Sequence, residues 1–178
     1  MNVIPSVRSF FQANKTKLRF CLLFVLFFFL AQLLYHHFRP TLTPYIVHRA
    51  TAGVGSGVIN LLAPSESTTA LNGLIYSQKD GFKMIVGQGC DGVESLLLVI
   101  AALAAFDLRL KQKVGGILAG AGLIYVVNLT RIVGLYFTLR YRPDDFDFAH
   151  IYMGQTVVIL VGLLFFVCWI HKFSRPVT

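Results

Sequence analysis

The 178-residue sequence predicts an all-α integral membrane protein: about four transmembrane helices, an extracytoplasmic interfacial helix and a small β-hairpin. Three observations predict it. The composition is 56% hydrophobic and only 13% charged, which suits one polytopic membrane unit and leaves little room for a soluble domain. The apolar residues fall in runs long enough to cross a bilayer. The basic residues behind the net charge of +8 sit at the ends of those runs, so the charge reads as topology and not as a nucleic-acid footprint.

Residues 1–17 carry Arg8, Lys15 and Lys17 and are expected to be cytoplasmic. The first span is 18–38, LRFCLLFVLFFFLAQLLYHHF, which is too long for a signal peptide and has no small-x-small cleavage site before His36-His37. An extracytoplasmic segment, 39–90, follows. Within it, Tyr45 to Ala63 is diluted by His48, Arg49, Ser56, Asn60 and several glycines, and reads as an interfacial or protein-packed helix. After the polar stretch PSESTTALNG, the runs LIYSQ and FKMIV around Lys79-Asp80-Gly81 predict a hairpin.

The second span, 91–106, ends at Asp107-Leu108-Arg109-Leu110-Lys111-Gln112-Lys113, whose three cations mark a cytoplasmic loop. The third span, 114–139, opens with Gly116 and Gly120 at the spacing of close helix packing. A loop from Arg140 to Phe148 lies outside, and the fourth span, 150–170, leads to a basic cytoplasmic tail at 171–178. Of the basic clusters, only Arg140 and Arg142 break the charge rule. A full crossing by 45–63 would break it more severely, forcing the Arg109 to Lys113 loop or the N-terminus outward.

This arrangement gathers three polar residues toward one leaflet. Cys90 sits at the outer end of the second span, and His150 begins the fourth. Arg131 lies about 9 residues, or roughly 13 Å, below the outer end of the third. An arginine inside an apolar helix faces protein or a water-filled cavity, and Asn128 shares its face of the helix. Cys90, in GQGCDGVES, precedes Asp91 as a candidate N-cap, with Glu94 at the capping-box position. A helix N-terminus and an arginine favour thiolate, whereas the two acids oppose it. Singly, Cys90 reads as a small residue at a tight turn and His150 as a helix-end residue. Histidine titrates near neutrality, so together they offer a nucleophile and a general base or acid. Glycines at 87, 89 and 92 permit close approach of an extended peptide. The three cysteines, Cys21, Cys90 and Cys168, show no metal-ligand spacing, and neither a metal nor a cofactor is expected.

Cys-x-Gly at Cys90 to Gly92, Asn-x-x-Arg at Asn128 to Arg131 and His-x-x-x-Gly at His150 to Gly154, in this order on successive apolar helices, resemble the exosortase/archaeosortase family of membrane transpeptidases. The resemblance covers roughly Gly87 to Ile170, and the length is similar to the compact exosortase H type. It implies a multi-pass protein of the cytoplasmic (inner) membrane with an extracytoplasmic site. Its partners would be membrane lipids and exported proteins ending in a sorting motif, a transmembrane helix and a basic tail, with no nucleic acid. Cys90 would attack the scissile carbonyl to form a thioacyl enzyme that passes to an unknown acceptor nucleophile. Arg131, always protonated, would hold the thiolate or the oxyanion, and His150 would move the protons. Gly92, Ser95, Asn128 and Gly154 would support them. Some relatives have a second arginine in place of the histidine, a role open to Arg140 or Arg142. Asp91 departs from the small neutral polar residue that often follows the nucleophile. Two other readings compete: a non-enzymatic membrane assembly scaffold, and a small transporter built on Arg131.

Overall fold

The computed structural model describes residues 14–87 and 89–173. Most of the expected cytoplasmic N-terminus, with Arg8, and the end of the basic tail, with Arg175, lie outside them.

Helix α1, Lys15–Thr43, has no buried residue, which matches its almost wholly apolar sequence: hydrocarbon can cover every face. It does not stop where the sequence suggested. Pro40 lies inside α1 and Pro44 directly follows it, and a proline cannot donate to the carbonyl four residues back. The backbone widens into a π-helical segment, Pro44–Gly53, and resumes as α2, Val54–Leu62. Helical backbone therefore runs unbroken through 48 residues, Lys15–Leu62. That is roughly 70 Å of helix, more than twice the hydrocarbon thickness. The expected separate interfacial helix is thus a continuation of the first span.

Thr51, Ala52, Gly55, Ser56 and Ile59 form the buried face of this continuation, and Tyr125 donates from α4 (Leu110–Tyr141) to the Ala50 carbonyl at 2.7 Å. Its polar residues anchor a sheet. Asn60 accepts from the Thr68 N–H at 2.6 Å and donates to the Thr68 carbonyl at 2.7 Å, standing in for a neighbouring strand. The Ser56 and Thr68 hydroxyls lie 3.1 Å apart in the same buried patch.

The sheet is an antiparallel meander, β1 (Thr68–Leu71), β2 (Leu74–Ser77) and β3 (Lys83–Ile85), with Leu71 opposite Leu74 and Ile75 opposite Met84. Strands β2 and β3 form the expected hairpin. Strand β1 was not expected, because it comes from the polar stretch before it. Asn72-Gly73, both in the left-handed region at φ 50° and 80°, make the two-residue turn that adds it.

Helix α3, Val93–Ala105, packs against α1, α4 and α5 (Gln155–Phe173). It has 13 residues, or about 20 Å, against a hydrocarbon core of about 30 Å. Among the described residues, three stretches, Lys15–Leu62, Leu110–Tyr141 and Pro143–Phe173, are long and apolar enough to cross a membrane, and α3 is a shorter apolar helix beside them. At the end far from the sheet, Gly116 and Gly120 let α5 approach α4: an added Cβ would lie 2.7 Å from Trp169 and 2.9 Å from Phe165. There Lys113 donates to the Ala104 carbonyl at 2.6 Å, closing the α3–α4 turn. Thr16 and Arg19 of α1 border the same end as Asp107 and Lys113.

At the sheet end, buried Glu66 accepts from the Tyr136 hydroxyl at 3.0 Å, the Tyr141 hydroxyl at 3.2 Å and the Arg140 Nε at 3.0 Å. Arg140 also grips Asp80 in the hairpin turn with both terminal nitrogens, at 2.7 and 3.3 Å. We expect Arg140→Met to destabilise the sheet by about 3 kcal/mol, because Glu66 would keep a buried charge without its cation. Thermal unfolding in detergent reads this, and Glu66→Gln in the same chain should recover part of the loss. The Arg140 hydrogen bonds, joined by one from the Phe82 N–H, hold the Asp80 carboxyl below its ordinary range. A lowered carboxyl gives stability that is complete above its unfolded value and is lost as pH falls toward its folded one. Proteolytic nicking of the 78–82 turn should therefore begin only in acid, whereas in Asp80→Asn, which has no carboxyl to pair with Arg140, it should occur without that acid onset.

Candidate active site

Three segments converge beneath the sheet. The turn after β3 delivers Cys90, whose N–H bonds back to the Gly87 carbonyl at 3.3 Å. Helix α4 brings Asn128 and Arg131. A second π-helical segment, Phe148–Gly154, brings His150. Wider turns of this kind recur at functional sites, since they re-aim side chains.

The Cys90 Sγ lies 3.0 Å from His150 Nε2. With the thiol protonated, S–H donates to Nε2 and the ring proton sits on Nδ1. Phe146 stacks on the imidazole at 5.5 Å between ring centroids, with only 6° between planes, and so fixes its tilt. Arg131 bridges both sides of the pair, donating to the His150 carbonyl at 3.3 Å and to the Gly89 carbonyl at 3.5 Å. Its Nε is buried without a hydrogen-bond partner among the described residues and lies across Gly154, where a Cβ would collide with it. Asn128 donates to the Cys90 carbonyl at 2.9 Å. Gly92, at φ 75°, packs on Asn128 so closely that a Cβ would come within 2.8 Å of its Cγ. Only glycine satisfies both that backbone and that contact.

Cys90 is 6% exposed, and burial pushes its thiol pKa up. Arg131 pulls it down and Asp91 pushes it up further. Burial and Asp91 thus favour the thiol over the free thiolate that a helix N-terminus alone would favour.

Asp91 does not act as the expected N-cap in a capping box. Gly92 holds the cap position of α3, and Glu94 is exposed. The Asp91 Oδ1 instead accepts from the Val93 N–H at 3.2 Å, and its Oδ2 accepts from the Tyr35 hydroxyl of α1 at 2.6 Å. Ser95 is buried one turn into α3. Arg140 is not at the thiol, being committed to Glu66 and Asp80. Arg142 is 79% exposed and pairs with Asp145 at 3.6 Å. A cavity of about 420 Å³ between α4 and α5, lined by Val126, Thr130, Gly134 and Val157, reaches Arg131 and Gly154.

Sequence reasoning missed Tyr35 and Glu66. Tyrosine at the end of an apolar run reads as an interfacial anchor, so Tyr35 gave no distinguishing signal. Glu66 did, because it is the first acidic residue of the chain.

Fold and cluster together define a multi-pass membrane protein that holds a cysteine, a histidine and an arginine at the rim of a small sheet. The transmembrane exosortase family model matches residues 8–168, and the chain belongs to that family. Neither a curated protein nor a solved structure matches it. Membership carries a membrane exosortase-type function, with exported proteins as substrates in general.

Proposed function

We propose that this protein is a cysteine transpeptidase or peptidase that cleaves a C-terminal sorting signal through a thioacyl enzyme. The observation that carries the reading is the 3.0 Å contact between the Cys90 thiol and His150 Nε2, with Arg131 bridging the carbonyls on either side. His150 takes the thiol proton as Cys90 sulfur bonds to the scissile carbonyl carbon. The tetrahedral intermediate collapses, the C–N bond breaks, and the leaving amine takes the proton from His150. An incoming water or amine then gives its proton to His150 and displaces the thiolate, which is reprotonated. Arg131 holds both carriers in register and draws negative charge toward itself.

The site belongs on the extracytoplasmic face in this reading, with four spans and both termini cytoplasmic. The fold supports that sidedness: cations at Arg19, Arg109, Lys111 and Lys113 gather at the end far from the sheet, where positive-inside bias puts the cytoplasm. Acids Asp144, Asp145 and Asp147 lie toward the other end.

The test is a proteoliposome assay with a tagged membrane protein bearing a sorting motif, an apolar helix and a basic tail. A covalent adduct on Cys90 that hydroxylamine releases as a hydroxamate is the expected result. Cleaved reporter without any such adduct, even in rapid quench, overturns the thioacyl route.

A further inference from the structure

Asp91 is the residue that the proposed chemistry least needs. A carboxylate beside a nucleophilic thiol disfavours the thiolate, unless something takes up its charge and fixes its direction. Both of its oxygens are in fact engaged. Oδ1 accepts from the Val93 N–H at the start of α3, and Oδ2 accepts the short 2.6 Å bond from Tyr35, which lies 56 residues earlier on α1. With both donors in place, the charge of the carboxylate is drawn toward α1 and the start of α3, and the thiol faces His150.

We propose that Tyr35 is a positioning residue for the nucleophile: its hydroxyl, by holding Asp91 Oδ2 at 2.6 Å, keeps the carboxylate turned onto α3 and leaves Cys90 to His150. The proposal rests on Cys90 being the nucleophile, and it adds a residue of the first helix to the site. Among the described residues, the charged and titratable neighbours are these. Arg131 and His150 face the thiol from α4 and the π-helical segment, and Arg39 and Glu94 act on the Tyr35 to Asp91 pair from α1 and α3. Of these, Asp91 is the acid adjacent to the thiol in the chain, and among the described hydrogen bonds to its oxygens only that of Tyr35 crosses from another helix.

A tyrosine that only tied α1 to α3 would alter stability and leave the ionisation of Cys90 alone. The pH dependence of alkylation separates the two roles. Cys21 and Cys168 are replaced by alanine so that Cys90 is the single thiol, and the rate of its reaction with iodoacetamide is followed against pH in detergent micelles. Tyr35→Phe removes the donor that holds and offsets the Asp91 charge, leaves that charge to act on the thiol, and should move the profile to higher pH, giving about tenfold slower alkylation at a fixed pH below the midpoint. Asp91→Asn should move it to lower pH. In the double variant, the Tyr35→Phe shift should vanish, because its route runs through the carboxylate.

A Tyr35→Phe profile that superimposes on the parent overturns the proposal, as does a shift of the same size in the Asp91→Asn background. If Tyr35→Phe does not fold, Tyr35→Leu, which also lacks a donor, replaces it, and its shift relative to Asp91→Asn/Tyr35→Leu is read in the same way. No substrate enters this measurement. Absence of a thioacyl adduct would therefore defeat the proposed reaction while leaving the alkylation result standing, and the reverse holds equally.

Discussion

Cys90→Ala should abolish processing of the tagged reporter, by at least about a thousandfold, while the protein accumulates in the membrane at its normal level. Loss of the nucleophile removes covalent catalysis outright. Truncation of one small, mostly buried side chain costs only about 1 kcal/mol of packing, too little to unfold a protein of this size. Cys90→Ser is the more searching variant. A serine hydroxyl can still donate to His150 Nε2 in place of the thiol, so the hydrogen bond and the placement of the imidazole survive. What changes is the nucleophile, since an alcohol is far harder to deprotonate than a thiol. Both variants should fail equally in processing and stay folded by size-exclusion profile. Processing by either would remove Cys90 from its assigned role, and a scaffold would tolerate both as long as its packing surfaces were intact.

The part of the fold that the sequence made legible is the part governed by period and charge. The long apolar runs, the cations at their ends and the alternating residues of β2 and β3 each carry a local signal that tertiary structure does not override. The continuation of the first helix was obscured because two prolines four residues apart normally argue for a break, and here the backbone passes them by widening into a π-helix. Ser56 and Asn60 looked like dilution of an apolar face, whereas they pair with Thr68 across a turn that hydropathy does not describe. The turn itself was readable. Asn-Gly between TTAL and LIYS is the strongest short-range hairpin signal, but the threonine-rich strand before it looked like a loop. At the site, Cys90, Asn128, Arg131 and His150 could be picked out from residue type and depth, and the structure brings all four together. Arg140 was chosen by the same logic and is placed elsewhere. From sequence, an arginine near a helix end cannot be assigned between a substrate and a buried acid until that acid, Glu66, is located.

Arg131→Lys should lower turnover by about a hundredfold to a thousandfold, the range lost when a single stabilising donor is removed from an acyl-transfer site. The argument turns on shape and not on charge. The guanidinium reaches two carbonyls at once, Gly89 on the chain that carries the thiol and His150 on the segment that carries the base. A lysine ammonium keeps the positive charge yet concentrates its donors at one point, so it cannot span both. Gly154→Ala tests the same geometry from the other side. It leaves the arginine in place, but its new methyl must displace the Arg131 side chain lying across that glycine, so the bridge is disturbed with the charge retained. Both variants should keep the reporter bound, with the loss appearing in the rate of adduct formation in single-turnover quench rather than in reporter affinity. Wild-type turnover in Arg131→Lys would show that charge alone suffices and that the two-carbonyl bridge is incidental. An unchanged adduct rate in Gly154→Ala, with folding intact, would show that the loop and the π-helical segment hold Cys90 and His150 in register without help from α4.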